Sequence, residues 1–103
     1  MPSTQEYLQY TLDQLSGVEG VTTRRMMGEY LLYVRGSLIG GIYDNRLLVK
    51  PTASARKLMP DAPEELPYPG AKPMLLVTEM EDRAFLSDLC GALYADLSTP
   101  AKK

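Results

Sequence analysis

Residues 24–51 read RRMMGEYLLYVRGSLIGGIYDNRLLVKP. The apolar residues come in runs of strand length, rich in Tyr, Leu and Val, and they are broken by residue pairs that suit tight turns. Residues 29–34 form one strand, and Arg35-Gly36 is a two-residue hairpin loop. Residues 37–43 return, Asp44-Asn45 turns again, and residues 46–50 run back. Gly, Asn and Asp tolerate the positive φ that two-residue hairpin turns require. A shorter strand over residues 22–27 precedes this block, with Gly28 as a bend or bulge. Strands joined by two-residue loops are antiparallel.

The loops also set an expected register. With Arg35-Gly36 as the turn, Leu32 stands opposite Ile39 and Tyr30 opposite Gly41. With Asp44-Asn45 as the turn, Gly41 stands opposite Leu48 and Ile39 opposite Lys50. Residues that face each other share a side of the sheet. One side then carries Tyr30, Leu32, Val34, Ile39, Gly41, Tyr43, Arg46, Leu48 and Lys50. The other carries Glu29, Leu31, Tyr33, Leu38, Gly40, Ile42, Leu47 and Val49. The second set is almost wholly apolar and is expected to support the helices. The first is aliphatic in the middle, with Tyr, Arg and Lys around it, the pattern of a partner or self-association surface. Its candidate residues are Tyr30, Leu32, Ile39, Tyr43 and Leu48. The alternative is that the loop over residues 60–73 covers this patch. A bulge at either turn would exchange the faces. Gly40-Gly41 is costly inside a strand, so a bulky neighbour is expected over the pair, with Tyr30 the nearest; a ligand's close approach is the alternative.

Outside this block the period lengthens to that of a helix. Tyr7, Leu8, Thr11, Leu12 and Leu15 recur at helical spacing, and Ser3 with Glu6 reads as a capping box, giving a helix over residues 3–16. Residues 52–59 form a short helix after Pro51. Residues 60–73 hold five of the eight prolines and read as loop, and residues 74–77 as a fifth strand. Thr78 with Glu81 resembles a second capping box. Phe85, Leu86, Leu89, Cys90, Leu93, Tyr94 and Leu97 then make a helical stripe that stops before Pro100, with a frayed tail at residues 101–103. The order is α-β-β-β-β-α-β-α. The expected class is α+β, two layers, with an antiparallel sheet of about five strands and helices on one face.

A chain of 103 residues reads as a single domain, long enough to bury a core without staples. Its net charge of −2 argues against direct DNA binding through a broad basic clamp. No apolar run reaches the ~20 residues of a membrane span, and no signal peptide is visible. A cytoplasmic location is expected. Cys90 is the single cysteine, placed on an apolar helical stripe, and reads as a buried small hydrophobe.

The absence of His removes the usual general base and the commonest metal ligand. No nucleophile elbow, phosphate loop or dinucleotide motif occurs. No catalytic residue, metal site or cofactor is expected, and the chain does not read as an enzyme. Glu64-Glu65 and the group Glu79, Glu81 and Asp82 read as a solvated loop and as favourable charge at a helix start. The one polar constellation with binding chemistry is basic. Arg25, Arg46, Lys50 and Lys72 lie near strand ends and form a candidate anion-binding set, with Glu29 able to pair with Arg25 across Gly28. Rim salt bridges are the plainer account of the same residues.

At these residues the chain resembles a known family. Residues 25–30 (RMMGEY), Tyr33-Val34-Arg35-Gly36, and residues 44–51 (DNRLLVKP) resemble the N-terminal domain of the TfoX/Sxy competence regulators. The turn at residues 67–73 (PYPGAKP) and the last helix after Met80-Glu81-Asp82 fit the same pattern. The resemblance implies a two-layer α/β fold with an antiparallel sheet and a non-enzymatic role in transcription regulation. In the full-length regulators a second, helical domain follows, and the chain here is expected to stand without it. The first functional expectation is an interaction domain acting on a protein partner such as a transcription regulator, or on a second copy as a homodimer. The alternative is a sensor for a small anion or nucleotide.

Overall fold

Three successive two-residue turns set the topology. Met27-Gly28, Arg35-Gly36 and Asp44-Asn45 all have positive φ at both positions, between 49° and 86°. That is the backbone of the type I′ hairpin, whose twist matches that of the strands it joins. In the computed structural model, which describes residues 3–98, these turns link four antiparallel strands. They are β1 (Val21–Met26), β2 (Glu29–Val34), β3 (Ser37–Ile42) and β4 (Leu47–Val49).

Helix α1 (Gln5–Gln14) precedes the hairpins, and α2 (Ala53–Leu58) follows them. Then come β5 (Glu64–Glu65), β6 (Met74–Leu76) and α3 (Arg83–Ser98). The sheet order is β1-β2-β3-β4-β6-β5, antiparallel throughout. The α+β class holds, with six strands rather than about five. The added strand, β5, lies inside the proline-rich stretch read as loop. It pairs with β6 and is held by two ion pairs, Arg46 to Glu65 and Arg56 to Glu64. Two glutamates carry no strand propensity, so only this pairing makes them a strand. The tail at residues 101–103 lies outside the described residues.

The caps differ from the sequence expectation by one or more residues. Thr4, not Ser3, caps α1: its side chain accepts from the Tyr7 N–H at 3.1 Å. Asp82, not Thr78, caps α3 by accepting from the Phe85 N–H at 3.0 Å. Thr52 caps α2 in the same way through the Ala55 N–H. In each case a short side-chain oxygen satisfies an N–H that the first helical turn leaves free.

The register of β2 on β3 corrects the expected faces. Val34 opposes Ser37 and Tyr33 opposes Leu38, as a two-residue loop demands. The register then slips by one residue, so that Leu32 opposes Gly40, Leu31 opposes Gly41 and Tyr30 opposes Ile42. Ile39 is the extra residue of a β-bulge. Between β3 and β4 the expected register stands, with Gly41 opposite Leu48. Because side chains alternate, the bulge turns the β2 residues over relative to β4. Tyr30, Leu32 and Val34 join Ile42, Leu47 and Val49 on the helix side, and Ile39 is buried with them. Leu31 and Tyr33 move to the outer side, with Leu38, Gly41, Tyr43, Leu48 and Lys50.

The helix side closes over one hydrophobic cluster. Leu8 and Leu15 from the α1 region, Ala55 of α2, and Leu86, Leu89, Cys90 and Leu93 of α3 pack on Leu32, Val34, Ile39, Ile42, Leu47, Val49 and Leu75. Polar contacts at the rim pin the helices to each other. Arg83 reaches Asp13 at 3.0 Å, and the Asp96 carboxylate accepts from both the N–H and hydroxyl of Ser54 at 3.0 Å.

Candidate functional site

The outer side of the sheet carries no helix, and it holds part of each of the two candidate sites read from the sequence. Its centre is built on Gly41. A Cβ there would lie 2.7 Å from Cε2 of Tyr43 and 2.6 Å from the Tyr30 carbonyl oxygen. The ring that covers the strand glycine is therefore Tyr43, two residues further along the chain, rather than Tyr30. Gly40 is needed for a different reason: a Cβ would meet the Leu48 carbonyl oxygen at 2.2 Å, so β4 backbone takes the space of a side chain.

The proline-rich loop reaches over part of this side. Its Tyr68 ring lies 6.5 Å from that of Tyr43, tilted by 58°. The loop is shaped by a turn at Tyr68-Pro69-Gly70-Ala71, in which Gly70 has φ 87° and the Ala71 N–H donates to the Tyr68 carbonyl at 3.1 Å. Proline second and a positive-φ glycine third are the marks of a type II turn. Between loop and sheet runs a groove of about 390 Å³, lined by the two tyrosines, Leu38, Gly40, Lys50 and Lys72, with prolines and Met74 completing it. No carboxylate lines this groove. Among the described residues, Lys50 and Lys72 take part in none of the ion pairs.

The basic set is thus divided. Lys50 and Lys72 both line the groove. Arg46 lies next to it but is committed to the Glu65 carboxylate and the carbonyls of Tyr43 and Leu66. Arg25 stands opposite Tyr30 on β1, three strands from β4 and on the helix side. Nor does Glu29 turn toward Arg25. Its Oε1 accepts from the Ser3 N–H and hydroxyl and from the Asp44 N–H.

The candidate partner surface is divided too. Tyr43 and Leu48 are on the outer side, Tyr43 only 6% exposed and Leu48 fully buried. Leu32 and Ile39 are fully buried under the helices, and Tyr30 packs on the same cluster. The bulge at Ile39 is the cause. The half-exposed residues that face outward instead are Leu31, Tyr33, Leu38 and Leu76. At the tip of the β1–β2 hairpin, Met27 is 95% exposed with a positive φ.

Burial and neighbours tune Tyr43, and burial tunes Cys90. Burial, with Tyr68, Glu29 and Tyr33 nearby, raises the Tyr43 phenol above its ordinary value. Burial pushes the Cys90 thiol up to about 11, so it is a packed side chain and not a thiolate. Among the described residues, no three His, Cys, Asp or Glu side chains converge to hold a metal ion, and no helix is long and apolar enough to cross a membrane.

Sequence reasoning missed Tyr68 as part of the site. Its signal was the proline on either side, which stiffens an otherwise featureless loop and presents the ring in one place.

Comparison with known proteins adds a family. A sequence model described as the TfoX N-terminal domain matches residues 13–87. An "uncharacterized 12.7 kDa protein in trpE 5'region" of Spirochaeta aurantia is 34% identical over 101 residues, spanning 97% of this chain and 88% of that protein. No solved structure matches.

Proposed function

Since the chain belongs to the TfoX N-terminal domain family, a competence-regulator-like class, we propose that it is a non-enzymatic regulatory domain working through contact with a protein partner. The observation that carries this reading is the asymmetry of the sheet. One side is closed by three helices, while Leu31, Tyr33, Leu38 and Leu76 stay half-exposed on the other. A sheet side left wholly to water is ordinarily polar. Arg24 stands opposite Leu31 and is exposed, so a cation flanks the apolar strip. Apolar centre with charged rim is the anatomy of a non-obligate interface. The partner favoured is a transcription regulator offering an apolar patch with an acidic edge.

The test is photo-crosslinking from position 33 in native cells, followed by mass spectrometry. The expected result is a transcription regulator whose capture is lost in Leu38→Glu and retained in an exposed control, Lys57→Glu. Capture that survives Leu38→Glu overturns the reading. So does recovery of a second copy of this chain alone, with concentration-dependent sedimentation.

A further inference from the structure

We propose that the groove between Tyr43 and Tyr68 is a binding site for a small planar aromatic anion, a ring bearing a carboxylate or a phosphate. This goes beyond the protein-contact reading and does not depend on it.

Three properties of the groove select that chemistry. The first is charge. The chain as a whole is net negative, yet this cavity has two lysines and no carboxylate in its lining. Neither lysine has an ion-pair partner among the described residues. Two ammonium groups beside a low-dielectric wall are stabilised by an anion placed between them.

The second property is the wall itself. Tyr43 is locked down on Gly41, where no Cβ would leave room for its ring. Tyr68 remains 56% exposed beside it, so much of its surface is free to receive a ligand ring. Aromatic side chains bind planar rings by stacking with little demand on ring identity. A simple inorganic anion would leave this apolar surface unused.

The third is preorganisation. Tyr68 and Lys72 flank the type II turn at Pro69-Gly70, and Pro67 and Pro73 border it. Proline on both sides reduces the backbone freedom that would otherwise be lost on binding. The volume, about 390 Å³, suits a ligand at the small end of the usual range of ~300–1,000 Å³.

The experiment is NMR titration of the full chain with adenosine 5′-monophosphate and with 2-naphthoate, using adenosine and inorganic phosphate as single-feature controls. The expected result is saturable shifts at Gly40, Tyr43, Tyr68 and Lys72 with at least one of the two anions, and clearly weaker binding of both controls. Response to the phosphate ester alone assigns a phosphate-bearing ring, and response to naphthoate alone assigns a carboxylate. Lys72→Met and Tyr68→Ala, both at exposed positions, should each weaken binding by about tenfold, and Lys72→Arg should restore it. Absence of saturable shifts with either anion overturns the proposal. So do shifts elsewhere in the molecule, equal binding of a control, or binding indifferent to both substitutions. None of these outcomes bears on the crosslinking result at position 33.

Discussion

The Glu29 carboxylate holds Ser3 in place: Oε1 accepts from the Ser3 hydroxyl at 2.7 Å and from its N–H at 3.1 Å. The same oxygen accepts from the Asp44 N–H, and Ser3 Oγ in turn accepts from the Asn45 N–H at 3.0 Å. One carboxylate therefore ties the segment before α1 to the β3–β4 turn. Asn45 completes the tie by accepting from the Thr4 N–H at 2.9 Å. Glu29→Ala leaves these donors without their charged acceptor and should cost about 2 kcal/mol in chemical denaturation. Glu29→Gln should cost less, and amide exchange at Ser3 and Asp44 should rise in both.

Gly40→Ala should be strongly destabilising. The new methyl would meet the Leu48 carbonyl oxygen and the Val49 Cα, both backbone atoms of the neighbouring strand. Nothing flexible can yield, so β4 must shift, at a cost of about 1–3 kcal/mol or more. A lower melting temperature with loss of the Gly40–Val49 pairing in NMR would be the reading; an unchanged melting temperature would contradict the close strand approach.

Leu32 and Leu31 separate the bulged register from the regular one. Leu32 is 1% exposed under the helices, and its replacement by Ala should cost about 2–5 kcal/mol. Leu31→Ala, on the outer side, should cost much less. A regular hairpin would give the reverse order, so equilibrium unfolding of the two variants decides between them.

Tyr43 should make stability sensitive to alkali. Burial raises its folded pKa above the unfolded value near 10. The contribution is complete below that value and is lost as pH rises through the folded pKa. Unfolding followed from pH 9 upward should therefore show falling stability, with a shallower fall in Tyr43→Phe.

Cys90 should resist thiol reagents in the folded protein at pH 8. Its thiol is buried and its pKa is pushed up to about 11. Reaction should follow unfolding and become immediate in denaturant. Rapid labelling of the native protein would contradict the packing of α3 on the sheet.

Much of the architecture was legible because it rests on local rules. Turn pairs with positive φ, alternation in strands and the apolar stripe of residues 85–97 each act within a few residues. The first four strands, the three helices and the antiparallel order follow from them. The β3–β4 register followed as well, since Asp44-Asn45 permits one short connection. Family resemblance rested on residues 25–51, the turn at 67–73 and the last helix, and the TfoX N-terminal domain matches residues 13–87.

The faces of the sheet were not legible, because one residue exchanges them. The bulge at Ile39 lies in the middle of the β2–β3 pairing, away from the turn, where no alternation pattern records it. The bulge placed Leu32 and Ile39 in the core and turned Leu31 and Tyr33 to the outer side. The division of the basic residues has the same origin. Arg46 pairs with Glu65 of β5, and Lys50 and Lys72 line one groove because the proline-rich loop lies over Tyr43. Short-range preferences wrote the elements of this protein. Long-range packing chose which of their side chains meet one another, because burial and charge pairing act on neighbours in space, whatever their distance along the chain.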